Sequence, residues 1–419
     1  FAIYDYPGLR PPRARGPDTE EEIVNDPAHL RLNGGGWSVG IDNFLIHDGE
    51  LRSDRKTDRE PYRHFDGNHI LFGNITGTFT DFKLQNDTIT AKLSLQTKER
   101  SGFEVKSLTA NLKWHPEAME FNNLDIKTEK SHLHNYFAMR YNTFDDMGDF
   151  IEKVRMEGNF DNAVVSSDDI AYFAPELSTW KKRILIKGSA KGSVDKLTGK
   201  DLVIQAGADT YLKGKMTLAG LPDIEKTYID FEADNFRTTY KDAIAFVPAL
   251  KDVRQPDLQL LQYLKFSGNF TGFVNDFVTY GSLQTALGTV VTDLNMKLPD
   301  NAVSRYSGKI KTSGFEIGKL LDNSSLGKIV FQGNVNGSGL TQSNINARLD
   351  GNIQLLEFKD YPYQGITVKG KVAKKLFNGE LVVSDPNLQS QLNGLIDFSR
   401  EIPEFNFEAN VCRADLQKL

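Results

Sequence analysis

Cysteine is nearly absent from this chain. Its 419 residues hold one, Cys412, which excludes an internal disulfide framework and any thiolate zinc site. Long apolar runs are missing too. The longest, Ala243-Ile-Ala-Phe-Val-Pro-Ala-Leu250, falls far short of the ~20 residues that cross a bilayer as a helix. Positive charge is not in excess: Lys and Arg number 50 against 56 Asp and Glu, a net charge of −6. Phosphate backbones need a clustered basic surface, so the balance argues against nucleic acid, and none is expected as partner. Apolar residues make up 39% and charged residues 25%, with 35 glycines. So low an apolar share fits an elongated protein with much surface per residue.

The usual signatures of catalysis are also lacking. Gly73-Asn-Ile-Thr-Gly77 is not a phosphate loop, because no Gly-Lys-Ser/Thr follows. No Gly-x-Ser-x-Gly nucleophile elbow occurs. His132 and His134 alternate as two metal ligands on a strand would, but no third ligand accompanies them. His64 and His69 near Asp66 read as solvated loop residues. Asp168 and Asp169 suit helix capping better than paired acid–base work. Lys181-Lys-Arg183 reads as a solvated edge. The expectation is a non-enzyme with no cofactor and no metal.

What the sequence does have is alternation. Ile89, Ala91, Leu93 and Leu95 alternate with polar residues, as do Leu108, Ala110, Leu112 and Trp114. The same holds for Leu212, Gly214, Met216 and Leu218, for Leu294, Met296 and Leu298, and for Phe405, Phe407, Ala409 and Val411. Period-two patterning gives strands one apolar and one wet face, the mark of antiparallel sheet. Gln85-Asn-Asp87, Leu298-Pro-Asp-Asn301 and Phe377-Asn-Gly379 read as turns. Helical windows are few. They are Thr143–Glu157 with Phe144, Met147, Ile151 and Val154 as its apolar stripe, a start at Ser166–Ile170, Thr239–Phe246, and Gln255–Tyr263. Fewer than a third of residues are expected in helices.

The pattern apolar-x-Gly-x-apolar-x-Gly recurs four times, at Leu71–Gly77, Ile186–Gly192, Phe266–Gly272 and Phe331–Gly337, with a weaker copy at Met156–Phe160. Exit strands at Ile229–Phe236, Lys309–Phe315 and Phe407–Val411 run into connectors. Glycine on an apolar strand face permits close backbone approach or sharp sheet bending. The organisation expected is a connector over 1–35, rich in Pro, Arg and acids, then sheet repeats over 36–142. A helical insertion follows over 143–181, with further repeats over 182–260, 261–327 and 328–419. Phe1 is not Met, and the last residues carry no closing feature. The chain is therefore expected to be a window of a longer protein, with any membrane anchor outside it.

These blocks resemble the TamB and AsmA-like family of bacterial envelope proteins, in its Bacteroidetes-type form. The resemblance is carried by Leu124-Asp-Ile-Lys-Thr-Glu-Lys-Ser-His-Leu133, Phe144-Asp-Asp-Met-Gly-Asp-Phe150 and Val165-Ser-Ser-Asp-Asp-Ile-Ala-Tyr-Phe-Ala-Pro-Glu-Leu177. Lys98–Val105, Val39–Leu51 and the Gly-strand repeat add to it. It implies a curved, taco-like antiparallel β-groove in the periplasm, tethered to the inner membrane. It also implies phospholipid as cargo and a TamA-like outer-membrane barrel as partner, met through a region outside this window. A sheet with one apolar face must cover that face, close on itself or hold a ligand. A continuous apolar groove suits acyl chains better than a compact metabolite. The expected lining is Ile89, Leu93, Leu95, Leu112, Leu212, Met216, Leu294, Met296, Phe405 and Phe407. The competing expectation is a chaperone for outer-membrane barrels that adds strands at an open sheet edge. A third, an enzyme or adhesin on a β-solenoid, calls for an acid-and-aromatic cluster on the wet face, and none is visible in the sequence.

Overall fold

The alternating segments form strands that pair with their sequence neighbours. A computed structural model describes residues 2–5, 32–33, 37–253, 257–299, 302–399 and 401–418. Strands take up 64% of the described residues and helices 11%, so the fold is mostly β. Most of the expected 1–35 connector, including Arg10, Arg13 and Arg15, lies outside the described residues, but Ala2–Asp5 is a strand. The chain divides into two units, Phe1–Gly207 with Lys215–Ile224, and Ala208–Gly214 with Glu225–Leu419. The division falls inside the segment read from sequence as a single repeat over 182–260.

In the first unit β1 (Ala2–Asp5) lies parallel to β2 (Val39–Arg55). The remaining strands form an antiparallel meander. They are β3 (His69–Gln85), β4 (Thr88–Glu99), β5 (Glu104–His115), β6 (Ala118–Lys127), β7 (His132–Arg140), β8 (Arg155–Ser166), β9 (Arg183–Gly192) and β10 (Lys196–Ala206). Positive φ at Asn86 and Asp87 makes the tight turn between β3 and β4 that joins twisted antiparallel strands. Strand β11 (Thr210–Ala219) is divided between the units.

The second unit is another antiparallel meander: β12 (Tyr228–Thr239), β13 (Tyr263–Phe273), β14 (Asp276–Thr285), β15 (Gly288–Lys297) and β16 (Arg305–Ser313). Both β16 and the short β17 (Phe315–Glu316) pair with β18 (Leu326–Ser338). Then come β19 (Asn346–Phe358), β20 (Tyr361–Ala373), β21 (Leu376–Ser384), β22 (Leu388–Asp397) and β23 (Glu404–Ala414).

Phe377-Asn-Gly379 is not a turn. It lies inside β21, and the chain reverses instead at Lys374, where φ is 53°. Gly379 stands between Gly370 of β20 and Gly394 of β22 in the ladder. A Cβ on Gly370 would stand 3.0 Å from the Gly379 Cα, so the glycines serve close strand contact rather than reversal. Gly268 and Gly281 oppose each other in the same way, where added Cβ atoms would come within 2.6 and 2.8 Å of the facing Cα. The repeat is realised unevenly, since Gly73 has open space where a side chain would be while Gly77 packs against Leu95.

The window Thr143–Glu157 is not one helix. A 3-10 helix spans Phe144–Asp149, α1 spans Phe150–Lys153, and Arg155 already begins β8. The run ends at Val154, whose β-branched side chain favours extended backbone. Phe144, Met147 and Val154 still pack into a core with Ile70 and Tyr141, but Ile151 is 37% exposed and is not core. The segment 143–181 thus carries a strand between its helical turns. Ser166 caps α2 (Ser167–Ile170) and Thr239 caps α3 (Tyr240–Phe246), their hydroxyls accepting from the backbone amides of Asp168 and Asp242. Leu258–Leu261 is one turn, and Tyr263 belongs to β13 rather than to a helix. The exit strand at Lys309–Phe315 leads into α4 (Ile317–Leu321). Among the described residues the longest α-helix, α3, has 7 residues, too few to roof a sheet face.

Candidate functional site

Residues directly opposite in a ladder share a face of the sheet, so the pairing register shows which side chains stand together. In the second unit one row runs Phe277, Met296, Tyr306, Gly337, Ala347, Val372, Phe377, Ile396, Phe405. The adjacent row runs Thr279, Leu294, Gly308, Val335, Leu349, Gly370, Gly379, Gly394, Phe407. Leu294, Met296, Phe405 and Phe407 therefore lie on one face of one sheet. They are not equally covered. Leu294 is buried and Met296 half-buried, while Phe405 and Phe407 on β23 are 56% and 40% exposed. The Leu294 row is also not a continuous lining. Three successive glycines stand between Leu349 and Phe407 and contribute no side chain to the row, a feature invisible without the register.

In the first unit Ile89, Leu93 and Leu95 share the apolar face of β4, where Lys92, Ser94, Gln96 and Lys98 point to solvent. Leu112 joins that face because it stands opposite Ala91. Leu93 lies opposite Phe79, whose ring stacks on Phe44 at 4.8 Å. Leu95 lies opposite Leu108. A thioether-rich row, Ile89, Trp114, Met119, Met139, Met156, crosses β4 to β8. Leu212 is buried and Met216 half-buried on β11, in different units.

The first sheet curls around a hollow of about 130 Å³. Its lining comes from Leu51 and Ser53 of β2, Ile70 of β3, Leu112 and Trp114 of β5, Met119 and Phe121 of β6, and Phe144 of the helical turn. Of the expected lining residues, Leu112 alone reaches it. The sequence carried no signal for Leu51 or Ile70, since their approach to β5 and β6 depends on sheet curl. Trp114 donates to the Tyr141 hydroxyl at 3.1 Å, and burial pushes that phenol up to about 12.

The polar blocks have structural work. Asp169 accepts from Thr128 Oγ1 at 2.6 Å and from Ser131 Oγ. Ser131 Oγ in turn accepts from the Ser166 amide at 2.9 Å. The Thr-x-x-Ser and Ser-Ser-Asp-Asp blocks thus latch together the start of β7 and the cap of α2. Asp168 pairs with Lys130 and Lys181, so Lys181 is tied rather than free at an edge. Asp66 is not a solvated residue: it is 2% exposed, bonded to Arg59 at 2.7 Å and to the Tyr62 and Asn68 amides at 3.1 Å. Burial pushes its carboxyl up, but Arg59 and the two amides outweigh it and hold the group at about 2. His69 Nδ1 lies 3.1 Å from Asp54, and His64 stacks on Tyr62. His132 Nε2 meets Asp125 at 2.8 Å. Among the described residues no group of three or more His, Cys, Asp and Glu is placed to hold a metal ion. No described helix is long and apolar enough to cross a membrane.

No family model, no curated protein and no solved structure matches this chain.

Proposed function

We propose that this chain is a non-enzymatic carrier segment whose apolar sheet face holds phospholipid acyl chains in transit between the inner and outer membranes. In this reading it works in the periplasm, tethered to the inner membrane, and supports outer-membrane biogenesis with a TamA-like barrel as partner. The observation that carries the reading is the pair of registered rows from β14 to β23. The Met296 row sets apolar side chains on most of these strands, the Leu294 row adds Val335, Leu349 and Phe407, and no described helix is long enough to roof them. The TamB-like sequence blocks support the biological setting. An acyl chain gains ~0.8 kcal/mol per buried CH₂ on leaving water and little on moving between equivalent apolar positions, so such a face retains a lipid and lets it slide.

The test is native mass spectrometry of the protein purified from a cell envelope, followed by lipid extraction. Stoichiometric phospholipid is expected, and a lipid-free protein that also fails to take up phospholipid from vesicles would overturn the reading. A second reading, strand addition to an outer-membrane barrel precursor, rests on β23. Among the described residues that strand pairs with β22 alone, and it exposes Phe405, Phe407 and Val411.

A further inference from the structure

We infer that the hollow under Phe144 in the first unit is a docking site for the methyl end of a single acyl chain. The inference rests on the lipid-carrier reading and adds where a chain stops and which end arrives first. Seven of the eight lining residues are apolar, and the one polar side chain is the Ser53 hydroxyl. A charged headgroup meets no counter-ion inside and only one hydroxyl, so the headgroup stays out and the hydrocarbon end enters. The volume, about 130 Å³, is close to that of apolar cavities that hold one benzene-sized hydrocarbon. That is room for the last few carbons of one chain and not for two chains side by side.

The position supports the same conclusion. Leu112 and Trp114 on the hollow's wall belong to rows that continue along the apolar face through Ala91 and Ile89 of β4. The wall of the hollow is therefore continuous with the apolar face of β4. Phe144 stands against Trp114 and Tyr141, at 6.3 and 6.1 Å between ring centroids, and its helical turn packs on Ile70 and Val154. The segment 144–153 is thus an end stop seated on the face rather than a roof along it.

Trp114 makes the site readable. The chain has three tryptophans, so the double change Trp37→Phe and Trp180→Phe leaves Trp114 as the sole indole emitter. Lysophosphatidylcholine brominated at the chain end or next to the headgroup is then titrated into this protein, with bound lipid counted by native mass spectrometry. Terminal bromines are expected to quench Trp114 at least twofold more than headgroup-proximal ones. Ser53→Leu, which fills the hollow, is expected to remove that difference while leaving the circular dichroism unchanged. Equal or reversed quenching overturns the inference, as does quenching by bromobenzene but by neither lipid. Lipid bound in the mass spectrum without quenching overturns the docking site and leaves the carrier reading standing. No bound lipid at all overturns the carrier reading, and this inference with it.

Discussion

The ring of Phe331 lies over Gly351, so that a Cβ added to that glycine would stand 3.0 Å from Phe331 Cε2. Gly351 is the ladder partner of Gly333, two residues beyond Phe331 on the same face. The glycine pair leaves a flat patch of backbone, and the aromatic ring covers it. Phe377 does the same at Gly370. Phe331 is buried, 4% exposed, in a cluster with Val335, Ile353 and Ile366. Gly351→Val should evict the ring and destabilise the second unit by about 2–4 kcal/mol in urea unfolding. Gly40→Val, where a side chain meets nothing within 4 Å, should shift stability by less than about 0.5 kcal/mol.

Lipid capture should depend on the half-buried positions of the face. Leu95→Asp together with Met296→Asp places carboxylates against hydrocarbon while leaving them a route to water. Bound phospholipid should fall at least tenfold, with the circular dichroism near that of the parent. Lys92→Gln, on the opposite face where Lys92 pairs with Asp81 in solvent, should leave capture unchanged. Leu93→Asp is a different experiment. Leu93 is 7% exposed, and that change should unfold the first unit locally before it reports on lipid.

The two neighbouring aspartates of α2 should separate sharply in stability measurements. Asp169→Ala removes the acceptor of two hydroxyl donors and should cost about 1–3 kcal/mol. Asp168→Ala removes two ion pairs to solvent-exposed lysines and should cost less than about 1 kcal/mol. Equal losses in chemical denaturation would contradict the latch.

Acid should weaken the first unit through Asp66. Its folded-state carboxyl, at about 2, lies below the ~3.9 of an unfolded aspartate. The bound anion therefore stabilises the fold above about pH 4, and that contribution fades as the pH falls toward 2. It is worth about 2 kcal/mol at neutral pH. The stability gap between the parent and Asp66→Asn, read by urea unfolding, should be full at pH 6 and close progressively below pH 4.

The strand class, the period-two faces and the glycine repeat were legible in the sequence, because alternation is a local property that each strand carries by itself. The faces assigned to Ile89, Leu93, Leu95, Leu112, Leu294 and Met296 followed from that alternation alone. Cover and company did not. Phe405 shares a row with Met296 yet stands exposed, because burial depends on what lies across neighbouring strands. Phe377-Asn-Gly379 carries the residues of a turn, but Gly370 and Gly394 on either side hold it in a strand. Asp66 looked like a loop carboxylate until the fold brought Arg59 and two amides around it. The hollow under Phe144 gathers residues from β2, β3, β5, β6 and a helical turn, and no local pattern specifies how far a sheet curls. Chain-local chemistry sets which way each side chain points, while ladder register and curl, properties of many strands at once, decide which side chains meet.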